Sequence, residues 1–270
     1  MSPTIQNAAF RTEGIDAVYV PFQVKRAALR SSIQGLHALG VSGFNATAPH
    51  KVDVIRYLDK VEKSAAEIGS VNTVKNQDGT LYGYNTDGIG ALNALKEAGV
   101  SSEGESVLIL GAGGASRAIA HALAPHASSI RLVNRTITKA KELSSRLRKR
   151  YDVNVQYAPL SGKMLRSFVE RASVIVNASS MGTDGRANPP IKAEWLHAEQ
   201  CIFDIVYRPF QTKLLELASH AGATTVTGLD MLVNQGACSF ELWTGRKAPI
   251  LEMRHAISQT MQEMEHVQSG

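Results

Sequence analysis

The sequence predicts an α/β protein of two α/β domains, the second a doubly wound parallel sheet. Three observations predict it. Between 107 and 205, short apolar runs alternate with helical patterns, as in a parallel sheet covered on both faces. A glycine cluster follows the first of these runs and opens a helix. A polar stretch, Ser101-Ser102-Glu103-Gly104-Glu105, breaks the pattern just before it and reads as a domain boundary.

The elements follow in order. Ser2 as N-cap and Pro3 in the first turn open a helix that Gly14 ends. Residues 16–22 alternate Val18, Val20 and Phe22 with other residues and predict a strand. Residues 25–39 form a helical pattern closed by Gly40. A short strand then leads into Asn45-Ala46-Thr47-Ala48-Pro49-His50-Lys51, with Pro49 suited to open the next helix. A helix over 62–68, a strand over 70–75, the turn Gln77-Asp78-Gly79 and a strand over 80–84 come next. Thr86-Asp87-Gly88 starts a helix running to about Ala98.

Beyond the boundary, strands are expected over 107–110, 130–133, 153–157, 173–177 and 201–205. Helices are expected over 115–123 and 139–150, then over 231–243 and 249–264. The domains are therefore 1–100, joined by the C-terminal helices 229–270, and 101–228.

Composition narrows the function classes. The 270 residues are 44% hydrophobic and 20% charged, which suits a globular protein with a sizeable core. Net charge is +5, but the densest basic run, 146–150, lies in a helical pattern and reads as a solvated face. No nucleic-acid module accompanies it, so no nucleic-acid partner is expected; the charge suits an anionic small molecule. Cys201 and Cys238 stand far apart in apolar contexts and read as reduced, buried thiols of a cytoplasmic protein. The eight histidines show no ligand spacing, so no metal is expected. No apolar stretch reaches about 18 residues, so no membrane span is expected.

Two sites carry chemistry. Lys51 falls in the first turn of the helix expected after Pro49, where the dipole disfavours a cation and eases loss of its proton. That suits acid–base chemistry. The second site is Gly111-Ala112-Gly113-Gly114-Ala115. Gly111 permits the tight turn, Gly113 lets a pyrophosphate approach the backbone, and the helix beyond offers N–H groups and a positive dipole. Ser116 takes the place of the third glycine. This is a dinucleotide site of Rossmann type. The next strand ends in Asn134-Arg135-Thr136, with Lys139 one turn on and no carboxylate to repel a 2′-phosphate. Arg135 can fork onto that phosphate, so the expected cofactor is NADP.

These segments resemble shikimate dehydrogenases over essentially the whole chain. Asn45-Ala46-Thr47-x-Pro49-x-Lys51 is similar to that family's N-V-T-x-P-x-K, with Ala46 for Val. Similar too are Ser70-Val71-Asn72-Thr73, Tyr84-Asn85-Thr86-Asp87-Gly88, Asn177-Ala178-Ser179-Ser180-Met181-Gly182, Asp204-Ile205-Val206-Tyr207 and Gly228 through Gln235-Gly236-Ala237. The resemblance implies NADPH-dependent reduction of 3-dehydroshikimate to shikimate, a step toward aromatic amino acids.

It further implies that Lys51 and Asp87 are the catalytic pair and that Ser2, Thr47, Asn72, Asp87, Tyr207 and Gln235 contact the substrate. Val206, Gly228 and Met231 join Gly111–Ala115, Asn134, Arg135, Thr136 and Lys139 around NADP. His50 reads as structural. Family members begin with a strand and a serine-containing loop of which only Ser2-Pro3 is present here, so a longer natural protein is expected. The alternatives are a broader quinate/shikimate dehydrogenase, or a binding homologue impaired by the shortened start. The resemblance leaves a homodimer open.

Overall fold

The computed structural model describes residues 1–183 and 186–269, with side chains through 263. The chain forms two compact units. One is Met1–Thr86 with Leu232–Gly270, the other Asp87–Met231.

The first unit holds a four-stranded sheet of β1 (Gly43–Asn45), β2 (Lys60–Val61), β3 (Thr73–Gln77) and β4 (Thr80–Tyr84), in the order β1-β3-β4-β2. β3 pairs antiparallel with β1 and β4, and β2 parallel with β4. The β3–β4 hairpin turns through Asp78 and Gly79 at φ 50° and 81°, the left-handed pair a tight hairpin requires. One core gathers Leu29 and Ile33 of α2 (Leu29–Ala38), Ala65 of α3 (Lys63–Ile68), and Val54, Val71, Val74 and Leu81. Elsewhere in the unit α1 (Ser2–Thr12) meets the C-terminal helices. Gln6 Nε2 donates to the Gly236 carbonyl at 2.9 Å, and the Phe10 and Phe240 rings lie 5.6 Å apart.

Three expectations fail in this unit. Ser2 lies inside the first turn of α1 rather than capping it; Met1 is the N-cap and no side chain caps the helix. Residues 16–22 form no strand. They form no regular element and are held at Tyr19 by both amide atoms of Asn7 at 2.7 and 2.9 Å, with Val18 and Phe22 exposed. The helix expected after Pro49 is instead a turn leading into a 3₁₀ run, Asp53–Tyr57. The reason lies in the backbone: the Lys51 carbonyl accepts the Val71 N–H at 2.8 Å. Lys51 precedes a five-residue 3₁₀ run, so the helix-dipole argument for its chemistry does not hold.

The second unit is a six-stranded parallel sheet of β5 (Ser106–Leu110), β6 (Ser129–Asn134), β7 (Asn154–Pro159), β8 (Val174–Asn177), β9 (Cys201–Asp204) and β10 (Thr224–Thr227). The order is β10-β9-β8-β5-β6-β7. One face packs Val107, Ile109, Val176 and Phe203 with Ile119, Leu123 and Leu143 of α5 (Gly114–Leu123) and α6 (Ile137–Arg150). The other packs Leu108, Leu110, Ile175 and Ile202 with Phe168 and Leu214 of α7 (Lys163–Glu170) and α8 (Lys213–His220). Both faces are buried, which is why the central strands are continuous apolar runs. Strand order reverses between β5 and β8, the switch point where doubly wound sheets bind ligands.

Contacts divide the chain after Thr86 rather than at 101–105. α4 (Asp87–Glu97) counts with the second unit because Gly88 closes on Ala118 and Ala122 of α5, and Leu95 joins the α5 core. The helices expected at the end of the chain are α9 (Gly228–Thr244) and α10 (Ile250–Ser269). Elements α7, α8 and β10 have no counterpart in the sequence reading.

Candidate functional site

In the first unit the sheet register builds the polar site. Thr73 stands opposite Asn45 on one side and Tyr84 on the other, so one row of the sheet carries Asn45, Thr73 and the chain leading to Thr86. Asn72, just ahead of β3, is 2% exposed. Its Oδ1 accepts the Thr86 main-chain N–H at 2.8 Å and the Thr73 hydroxyl at 3.0 Å. Its Nδ2 donates to Thr86 Oγ1 at 2.9 Å and to Gln235 Oε1 at 3.1 Å. Gln235 Nε2 in turn donates to the Leu232 carbonyl at 2.9 Å. The structure thus brings together Asn72 and Gln235, two of the residues expected to bind substrate. It adds Asn45, Thr73, Thr86 and Ser239, which the sequence reading gave no substrate role.

The Lys51 loop is fixed to the same sheet. The Thr47 carbonyl accepts the His50 N–H at 2.7 Å, and the His50 carbonyl accepts the Val54 N–H at 2.9 Å. His50 is buried, with Nε2 2.9 Å from the Val24 carbonyl, as a structural histidine should be. Thr47 is exposed and Lys51 half-buried. Ser2 sits half-buried in the first turn of α1.

In the second unit the glycine turn leaves β5 at the switch point. Gly111 has φ 118°, and a Cβ there would stand 2.6 Å from Ser116 Oγ and 2.8 Å from the Ala178 carbonyl. Only glycine fits. Ser116, in place of the third glycine, donates to that same Ala178 carbonyl at 2.8 Å and so ties α5 to the end of β8. Gly113 is different. It is exposed, and a Cβ there would meet no protein atom within 4 Å, so the protein alone does not require glycine. Gly113 is also the N-cap of α5, with no side chain on the helix's first N–H groups. An exposed helix start with a bare backbone in front fits a pyrophosphate. Ala112 is buried, and Gly114 and Ala115 begin α5.

The end of β6 is basic and open. Asn134 Nδ2 donates to the Thr136 carbonyl at 2.8 Å, which shapes the turn. Arg135, Thr136 and Lys139 are exposed. Thr136 is the N-cap of α6, but its hydroxyl makes no cap bond.

A buried carboxylate, quoted in a family-like segment but given no role by the sequence reading, supports the next strands. Asp204 ends β9 directly beside Asn177 at the end of β8. Its Oδ1 accepts from Asn177 Nδ2 at 2.8 Å and from the Val206 N–H at 3.0 Å; its Oδ2 accepts the Thr212 hydroxyl at 2.8 Å. Burial raises the Asp204 carboxyl above its ordinary value, against the opposing pull of those three bonds. A polar residue closing each of two apolar strand runs is the signal that could have found this pair. Val206 is held by Asp204 and buried, whereas Tyr207 is exposed.

Gly228 has a packing reason: a Cβ would stand 2.4 Å from the Ile205 carbonyl oxygen. Thr227 and Asp230 form a capping box at that helix start, with Thr227 Oγ1 donating to Asp230 Oδ2 at 2.6 Å. Met231 is 5% exposed and packs in the same core as Val226 and Phe203. Asp87 opens α4. Among the described residues no cluster of three metal-ligating side chains exists, and no helix is long and apolar enough to cross a membrane.

Comparison with known proteins gives the family of the chain. The family model for the shikimate dehydrogenase substrate binding domain matches residues 1–74. The shikimate/quinate 5-dehydrogenase model matches 93–205, and the shikimate 5′-dehydrogenase C-terminal domain matches 228–257. The NADP(+) shikimate dehydrogenase of Moorella thermoacetica is 44% identical over 264 residues, covering 97% of this chain and 89% of that relative. A crystal structure of a shikimate dehydrogenase in complex with NADP+ superposes with a TM-score of 0.89 at 39% identity, covering 96% of this chain and 90% of that one. The Thermus thermophilus shikimate 5-dehydrogenase, solved with NADP(H) and shikimate, gives 0.85 at 33% identity, covering 96% and 94%. With its glycine turn at the switch point of the parallel sheet and matches over nearly its full length, this chain belongs to the shikimate dehydrogenase family.

Proposed function

We propose that Lys51, paired with Asp87, moves the proton while this enzyme reduces 3-dehydroshikimate to shikimate with NADPH. Bound NADPH supplies the hydride to the ketone carbon. Lys51 donates a proton to the carbonyl oxygen as negative charge develops there, and accepts it in the reverse direction. Asp87 orients the lysine. Acid–base help of this kind is worth about 10²–10⁴-fold.

The first unit is the substrate-binding unit in this reading. Asn72, Gln235 and Thr47 bind the ring hydroxyls, and Ser2 the carboxylate. The second unit is the NADP-binding unit. Backbone N–H groups of Gly113, Gly114 and Ala115 face the pyrophosphate, with Gly111 and Ala112 forming the turn. Arg135 and Lys139 hold the 2′-phosphate, beside Asn134 and Thr136. Val206, Tyr207, Gly228 and Met231 line the nicotinamide end, Tyr207 also facing substrate.

The observation that carries this reading is the pairing of an open Gly113 with exposed Arg135 and Lys139 in one unit. Arg135 and Lys139 supply positive charge for a phosphate at the strand end where an NAD enzyme usually carries a carboxylate. The test is an absorbance assay of nicotinamide reduction with shikimate or quinate and with NADP+ or NAD+. Turnover fastest with shikimate and NADP+ is expected. No turnover with that pair would overturn the reading.

A further inference from the structure

The Ser239 hydroxyl lies in the middle of the first unit's polar cluster, fully buried and without a role in the chemistry above. It is 2.7 Å from Thr73 Oγ1, 3.3 Å from Thr86 Oγ1 and 3.3 Å from Asn45 Nδ2, which donates to it. It also reaches back to the Gln235 carbonyl at 3.1 Å, one turn earlier in α9. Asn45 Nδ2 shares its two N–H bonds among Ser239 Oγ and, both at 3.0 Å, Thr73 Oγ1 and the Asn72 carbonyl, while its Oδ1 accepts the Tyr19 hydroxyl at 3.0 Å.

We propose that Ser239 is a positioning residue for substrate recognition, fixing the side-chain orientations of Asn72 and Gln235 through Thr73. This rests on the assignment of those two amides as substrate ligands.

Counting protons supports it. The Thr86 main-chain N–H can only donate, so the Asn72 atom that receives it is the oxygen. The second bond to that oxygen comes from Thr73, whose hydroxyl has a single proton. For Thr73 to spend that proton on Asn72, the 2.7 Å contact with Ser239 must have Ser239 as donor. If Ser239 donated to the Gln235 carbonyl instead, as serines within helices often do, Thr73 would turn its proton to Ser239. Asn72 would then lose one of its two acceptor bonds. The contact to Thr73 is the shorter of the two, which favours the first arrangement.

The consequence reaches the substrate. With its oxygen satisfied, Asn72 turns both N–H bonds outward, to Thr86 Oγ1 and to Gln235. The Gln235 atom facing Asn72 must then be its oxygen. One Gln235 N–H is used by the Leu232 carbonyl, so the second is left to meet a substrate oxygen. Ser239 thereby reinforces, through Thr73, the Asn72 orientation in which Gln235 offers a donor rather than an acceptor.

The experiment is steady-state kinetics of the full chain with shikimate and NADP+. Ser239→Ala adds no volume and keeps a good helix former. It is expected to raise the KM for shikimate about tenfold, the effect of one buried hydrogen bond. The KM for NADP+ should stay within about twofold. Thr73→Val, the same shape without the hydroxyl, should give the same split. On a Gln235→Ala background, Ser239→Ala should add less than about twofold, because both act on one contact. An unchanged shikimate KM in Ser239→Ala overturns the proposal. So do equal rises in both KM values, which mark a merely structural serine, and so does full additivity with Gln235→Ala. A wild-type chain without turnover defeats the proposed function itself, a result distinct from wild-type turnover with an unaffected Ser239→Ala.

Discussion

The carbonyl oxygen of Lys51 accepts the main-chain N–H of Val71 at 2.8 Å. Val71 is the residue before Asn72, whose own N–H donates to the Tyr84 carbonyl at 3.1 Å. The backbone of the proposed proton donor is therefore tied to the residue preceding a proposed substrate ligand, just ahead of β3. The first bond holds the Lys51 backbone beside Asn72, the second holds Asn72 against β4, and neither depends on the lysine side chain. A substitution at Lys51 should remove its chemistry and leave the loop in place.

Lys51→Ala is expected to lower kcat by about 10²–10⁴-fold. NADPH affinity, read by fluorescence titration, should not change. Lys51→Arg should be nearly as inactive, because a guanidinium does not release its proton in the working pH range. Wild-type turnover in either variant would remove Lys51 from the mechanism.

Arg135→Ala should weaken NADPH binding about 10–100-fold, the value of a charge-assisted bond to phosphate, and leave NADH binding nearly unchanged. Thr136 strengthens the case, since its hydroxyl makes no cap bond and can join the same phosphate. Equal losses for the two cofactors would sink the assignment.

What the sequence reveals here depends on how local the cause is. The turn at Gly111 was legible because a positive φ and a helix start are properties of a few adjacent residues. The strands over 107–205 were legible because both faces of the sheet are buried. Residues 16–22 misled because their alternation matches a strand, whereas a strand also needs a partner edge. The helix expected after Pro49 failed for a similar reason, since the Lys51 carbonyl goes to Val71 in a distant part of the chain. β10 is an edge strand with one fully buried side chain, Val226, and three threonines, too weak a pattern to stand out. Asn72 and Gln235 were named as substrate contacts through family resemblance alone. Ser239, joined to Asn72 through the Thr73 hydroxyl from a distant part of the chain, carried no signal of its own.

Gly228→Ala should destabilise the protein by about 1–3 kcal/mol, because the added carbon meets backbone rather than a yielding side chain. The contact would be 2.4 Å to the Ile205 carbonyl oxygen, with the Val206 carbonyl at 2.8 Å. Gly113→Ala makes the contrast. Its Cβ meets nothing in the protein, so stability should hold while NADP+ affinity falls. Urea denaturation of the two variants, with NADP+ titration of Gly113→Ala, checks both halves. A stable Gly228→Ala, or a Gly113→Ala that binds NADP+ normally, would contradict the geometry.

Asp204 offers a prediction in which pH sets the sign. Burial raises its carboxyl in the folded protein, and the bonds from Val206, Thr212 and Asn177 only partly oppose this. The unfolded carboxyl titrates near its ordinary value of about 3.9. Between that value and the raised one, the folded state holds more protons than the unfolded state. Stability therefore falls as pH rises through this window and levels off above it. Asp204→Asn does not titrate, so wild type should lose ground against it as pH rises through the window, then run parallel. Asp204→Ala behaves differently. It leaves the Val206 N–H, the Thr212 hydroxyl and one Asn177 N–H without their acceptor, at about 1–3 kcal/mol for each group left unpaired. Urea denaturation of the three proteins across pH reads both effects. A wild-type margin over Asp204→Asn that grows with pH through the window would show that the hydrogen bonds, not burial, govern this carboxylate.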